Sequence, residues 1–157
     1  MEKIMALYLV QHGISLPKTE DPEQGLSETG MSEVRLIAEV ARNYRVQVAA
    51  IKHSGKKRAR QTAEIFAEFL PPDGGMTQMD GLKPLDDVTA LAPTLSCDAK
   101  IMLIGHLPFM EKLVSFLITG VADKRIFKFQ NGGIVCLDQD PEEQAWFIKW
   151  TLMPRIS

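Results

Sequence analysis

Short apolar runs alternate with amphipathic stretches along most of this chain, and that alternation limits its fold more than any other feature. Ile4–Val10, Val46–Ile51 and Lys100–Ile104 are long enough for buried strands and too short to cross a membrane. After the first run, residues 14–26 carry Pro17, Pro22 and Gly25 and read as a loop. Ser27 suits a helix N-cap, and Val34, Ile37, Ala38 and Ala41 follow it at helical spacing. A second helix is predicted over Lys56–Leu70, striped by Ala59, Ala63, Phe66, Ala67 and Leu70, and stopped by Pro71-Pro72-Asp73-Gly74-Gly75. A short strand near Met76–Met79 and a helix around Asp86–Leu95 follow. Pro108 suits the first position of a helix running to about Ile118, with Gly120 past its end. Gly133–Leu137 and Trp146–Leu152 read as late strands. The pattern predicts an α/β chain, a sheet with helices on both faces.

The chain has 157 residues, which suits one domain over 1–157, and it shows no repeat or linker. A net charge of -2 argues against a nucleic-acid partner, which favours basic surfaces. Cys97 and Cys136 form no CxxC pair, so buried reduced thiols are expected rather than a disulfide scaffold. With no export signal or membrane-spanning run, the cytoplasm is the expected compartment.

The three histidines carry the chemical signal. Each directly follows a predicted strand, in Val10-Gln11-His12, Ile51-Lys52-His53 and Ile104-Gly105-His106. Ligands of open α/β sheets bind outside the carboxyl ends of the strands, so parallel strands would bring all three to one edge. Gly13 and Gly105 beside two of them permit close backbone approach to a ligand. Lys56, Lys57, Arg58 and Arg60 crowd the start of the second helix, where positive charge opposes the helix dipole and a bound anion would relieve it. Lys56 and Lys57 also fit a plain solvated face. These basic surroundings disfavour a zinc site on the histidines. Ser54-Gly55-Lys56-Lys57 lacks the glycine and hydroxyl of a P-loop, and no GxGxxG, HExxH or GxSxG is present.

Four segments in this order resemble the histidine phosphatase superfamily, the phosphoglycerate-mutase-like group. They are Gln11-His12-Gly13; Leu26-Ser27-Glu28-Thr29-Gly30; Ser54 followed by Arg58-Ala59 and Gln61-Thr62; and Gly105-His106-Leu107-Pro108. They cover the chain from residue 4 to about 120. The short length and Leu82-Lys83-Pro84-Leu85-Asp86-Asp87 look most like the SixA-type phosphohistidine phosphatases. The resemblance implies a three-layer fold around a mostly parallel sheet.

It also implies roles. His12 would be the nucleophile, and Arg58 and His106, the latter if protonated, would bind the phosphoryl oxygens. Gln11 stands where the family has arginine; it still donates hydrogen bonds but lacks the charge and planar fork that suit phosphate. Asp86 and Asp87 are the candidates for an acid, or either could cap a helix. The implied activity is removal of a phosphoryl group, from phosphohistidine in a protein of the histidine phosphotransfer type, without cofactor or metal. Two alternatives stay open: a weakly active or inactive phosphate- or phosphoprotein-binding domain, because of Gln11, and a phosphatase for a small phosphate ester.

Overall fold

In the computed structural model, which describes residues 3–156, the first apolar run becomes a strand at the centre of a six-stranded sheet. The elements are β1 (Leu7–Gln11), α1 (Glu28–Asn43), β2 (Ala50–His53), α2 (Lys57–Phe69), β3 (Met76–Gln78), α3 (Val88–Leu91), β4 (Ile101–Gly105), α4 (Phe109–Thr119), β5 (Ile134–Gln139) and β6 (Trp146–Leu152). The strand order is β3-β2-β4-β1-β5-β6. β3, β2, β4 and β1 pair in parallel. β5 joins β1 antiparallel, and β6 joins β5 the same way. The sheet is therefore mostly parallel, with a two-strand antiparallel arm.

β1 is apolar and buried from Leu7 to Val10 because both of its faces are covered. Tyr8 and Val10 point to one side, where they pack with Val34, Ile37 and Ala38 of α1 and Ala59, Ala63 and Phe66 of α2. Leu7 and Leu9 point to the other, against Phe109, Met110, Leu113 and Val114 of α4 and Val88 and Leu91 of α3. This two-residue alternation makes the three layers. Cys97 and Cys136 are free and buried, as expected. Among the described residues, no helix is long and apolar enough to cross a membrane.

Several boundaries differ from the sequence reading. The second strand starts at Ala50, not Val46, because the backbone of Val46 still bonds to the Ala41 carbonyl at the end of α1, and the chain first meets the β4 side at Ala49. The helix expected over Asp86–Leu95 is one α-turn followed by a 3-10 turn over Ala92–Thr94, which contains Pro93; a proline N–H is not available to continue the α ladder. Pro108 is the N-cap of α4 rather than its first residue, and Gly120 closes that helix with a left-handed φ of 79°.

Ser27 caps α1 as predicted, accepting from the Gly30 amide at 3.0 Å. That start is pressed onto the loop leaving β1. The Ser27 amide and hydroxyl both donate to the Ile14 carbonyl, and a Cβ at Gly30 would sit 2.1 Å from the same oxygen. α1 thereby fixes the segment that follows His12.

Candidate active site

β1, β2 and β4 run parallel, so His12, His53 and His106 do share the carboxyl edge of the sheet. Only two of them come together. The rings of His12 and His106 lie 5.0 Å apart between centroids, tilted by 55°. His53 is buried and accepts from the Gly55 amide at 3.1 Å, within its own turn.

The backbone N–H of His12 donates to the Gly105 carbonyl at 3.0 Å, which ties the end of β1 to that of β4. Its ring is oriented by a 2.7 Å contact between Nδ1 and the Gly13 carbonyl. A carbonyl only accepts, so Nδ1 carries the proton and Nε2 keeps a free lone pair. Arg58 Nε donates to that lone pair at 3.3 Å. Burial, with the Arg58 charge adding to it, lowers the His12 pKa to about 4 against the opposing bond to Gly13. His12 is thus neutral near pH 7, with an unprotonated nitrogen turned toward a guanidinium.

α2 organises the other side through its first two turns. Arg58 faces His12, and burial lowers its pKa without removing its charge. Ala59 is fully buried. Gln61 Oε1 accepts from the Leu26 amide at 2.7 Å. Thr62 Oγ1 accepts from the Gly13 amide at 3.0 Å and donates to the Arg58 carbonyl at 2.8 Å. Lys57, which fitted a solvated face in the sequence, instead pairs with Asp21 at 2.8 Å and pins the 14–26 loop to α2. Lys56 is the exposed N-cap and has no side-chain capping bond.

His106 is 1% exposed. Its Nε2 lies 2.6 Å from Ser54 Oγ, while Nδ1 is buried without a partner. Burial, followed by His12, Arg58 and Lys56, depresses its pKa to about 3. The condition attached to His106, that it bind phosphoryl oxygens if protonated, resolves to a neutral donor near pH 7, because its site is both enclosed and already positive. Gln11 ends β1 half-buried, and its Oε1 is also enclosed without a partner. Among Gln11, His12, Arg58 and His106, Arg58 alone carries a charge.

Among the described residues, no hydrogen bond or ion pair joins Asp86 or Asp87 to this group. Asp86 accepts from the Lys83 amide at 2.9 Å. Asp87 caps α3, accepting from the Thr89 amide and hydroxyl, and these bonds lower its pKa. Both line a surface cleft of about 500 Å³ with Asp80 and Lys83. Their loop does pass the site: a Cβ at Gly105 would sit 3.0 Å from the Leu82 carbonyl. Ahead of the late strands, Asn131 Nδ2 donates to the His12 carbonyl at 3.0 Å, and Gly132 N–H to the Gln11 carbonyl at 2.8 Å. The sequence reading did not single out Asn131 or Gly132; the Asn-Gly pair is a turn signal, but nothing in it points to His12. Among the described residues, no group of three or more His, Cys, Asp or Glu is placed to hold a metal ion.

A neutral imidazole with a bare nitrogen, a guanidinium beside it and a second neutral imidazole can receive and stabilise a phosphoryl group. Comparisons with known proteins agree with that chemistry. The family model described as histidine phosphatase superfamily (branch 1) matches residues 7–86. An uncharacterized protein of Picosynechococcus sp. is 34% identical over 142 residues, covering 85% of this chain and 84% of that protein. The phosphohistidine phosphatase SixA of Escherichia coli is 27% identical over 156 residues, covering 96% of this chain and 94% of its own. Among solved structures, the protein histidine phosphatase SixA complexed with tungstate superposes with a TM-score of 0.78 at 25% identity, covering 96% of this chain and 97% of its own.

Proposed function

The chain belongs to the histidine phosphatase superfamily, and from that membership we propose that it takes a phosphoryl group from phosphohistidine in a partner protein, of the histidine phosphotransfer type, through an intermediate on His12. The observation that carries the reading is the state of His12. Gly13 holds the proton on Nδ1, and Nε2 is left unprotonated, accepting from Arg58 Nε.

In the first step the Nε2 lone pair attacks phosphorus in line as the bond from phosphorus to the leaving nitrogen breaks. Arg58 offsets charge on the phosphoryl oxygens, and His106 and Gln11 supply neutral donors. Water then attacks the phosphorus on His12. The P–Nε2 bond breaks, inorganic phosphate leaves, and neutral His12 returns. The leaving ring departs as neutral imidazole from phosphohistidine protonated on its other nitrogen, the attacking water comes from solvent, and the released dihydrogen phosphate keeps both of that water's protons.

The substrate class follows from leaving-group chemistry. An alkoxide must be protonated as it departs, whereas imidazole, with a conjugate-acid pKa of about 6.5, departs with little help. Asp86 and Asp87 spend their hydrogen bonds on their own loop. A site with this weak provision for an acid suits a P–N bond better than a sugar phosphate. Similarity to the Escherichia coli phosphohistidine phosphatase supports the same choice.

Mixing the protein with a phosphohistidine donor and quenching in base tests the reading. An acid-labile phosphate on residue 12 is expected, together with loss of turnover in His12→Ala. No adduct, with unchanged turnover in that variant, would overturn it. A second reading is favoured by Gln11, whose neutral amide leaves the site one charge short: a domain that binds the phosphoryl group and turns over little. Phosphate binding without hydrolysis of any phosphodonor would select that reading.

A further inference from the structure

Ser54 lies in the turn between β2 and α2, 2% exposed, against a His106 that is 1% exposed. Its hydroxyl has one proton to give. Ser54 Oγ accepts from the Lys56 amide at 3.3 Å. Among the described residues, the one acceptor within its reach is His106 Nε2, at 2.6 Å. Were the imidazole proton on Nε2, it would point at Ser54, and the buried hydroxyl would have no acceptor, a cost that native interiors avoid. The arrangement that satisfies both groups has Ser54 donating and Nε2 accepting.

We propose that Ser54 is a positioning residue that fixes His106 in the tautomer protonated at Nδ1, so that a neutral N–H is kept for an oxygen of the transferring phosphoryl group. This rests on the phosphoryl-transfer reading of the site. Two further observations bear on it. His106 has a single proton to place, because its enclosure, the His12 ring from the end of β1, and Arg58 and Lys56 from the start of α2 keep it neutral. Its Nδ1 is the buried nitrogen with no protein partner. With the other tautomer a bare lone pair would occupy that position, and it would repel a phosphoryl oxygen. Ser54 thereby does for His106 what the Gly13 carbonyl does for His12: each fixes which ring nitrogen carries the proton.

Long-range ¹H–¹⁵N spectra of the folded protein report the tautomer of each imidazole directly. His106→Gln assigns the signals among the three histidines of the chain. The expected wild-type signature for residue 106 is a protonated Nδ1 and an unprotonated Nε2. In Ser54→Ala the proton should redistribute toward Nε2, and turnover of a phosphohistidine substrate should fall roughly ten- to a hundredfold, with a much smaller change in KM. Ser54→Thr keeps a hydroxyl and should restore both the signature and most of the rate. A protonated Nε2 in the wild type would overturn the proposal, even if Ser54→Ala fails to fold. So would a Ser54→Ala protein with unchanged tautomer and turnover. If the wild type hydrolyses no phosphodonor, the transfer reading fails by itself, and the spectrum still decides the tautomer.

Discussion

Gln11 decides how much charge the site can offer a phosphoryl group. It sits one residue before His12 at the end of β1, with its amide oxygen enclosed and unpartnered. With both histidines neutral, Arg58 alone offsets the oxygens. Replacing Gln11 by arginine adds a second cation and a planar fork of donors. A single transition-state donor is worth roughly 10²–10³ in rate elsewhere, so Gln11→Arg should raise kcat at least about tenfold in steady-state assays with phosphohistidine. A fall instead would mean that the neutral amide is matched to its own substrate. At this scale much of the site was legible. His12, Arg58 and His106 stand in motifs whose spacing survives in the linear chain. Their protonation was not legible, because it comes from enclosure, which no local pattern encodes. Nor were the partners: Thr62 reaches Gly13, and Asn131 reaches His12, across long sequence separations.

The element that places His12 is the start of α1. Its Ser27 cap and Gly30 hold the Ile14 carbonyl, two residues beyond His12. Alanine is ordinarily the better helix former, by about 1 kcal/mol over glycine. At residue 30 that gain is overwhelmed, since the added Cβ would meet a backbone oxygen at 2.1 Å and no side-chain rotation relieves it. Gly30→Ala should therefore lower stability by about 3 kcal/mol, in the upper range for overpacking, as read from urea unfolding. It should lower phosphoryl transfer as well, because the β1 exit must shift. An unchanged midpoint would show that the loop yields freely. Helix existence was legible from periodicity and caps, as at Ser27 and Gly120. Boundaries failed where tertiary bonds override local pattern: Val46 is apolar enough for a strand, yet its amide is spent on the end of α1.

Across the whole molecule, the alternation of strand and helix foretold the layers and the shared edge of the three histidines. It could not foretell the order β3-β2-β4-β1-β5-β6, since pairing partners lie far apart in sequence. The arrangement has a consequence for stability against pH. Burial lowers the pKa of His12 to about 4 and of His106 to about 3, and it lowers that of His53 as well. Unfolded, each would titrate near 6.5. Below pH 6.5 the unfolded chain takes up protons that the folded protein refuses, so stability falls as pH falls. His12 and His106 should each contribute a slope approaching about 1.4 kcal/mol per pH unit, flattening once pH drops below the folded value, and His53 acts in the same direction. The carboxylates held low act in a different window. Asp21, at about 2, retains its contribution above its ordinary value of 3.8 and loses it only as pH drops further. Between pH 6.5 and 4 the fall therefore belongs to the histidines. Urea midpoints should be level from pH 8 to 7 and decline steadily from pH 6.5 to 4.5. His12→Asn should make that decline shallower, because one refused proton is gone. A wild-type midpoint that stays level to pH 4.5 would mean that the two rings accept protons in the folded state, and the neutral-imidazole chemistry proposed for them would go with it.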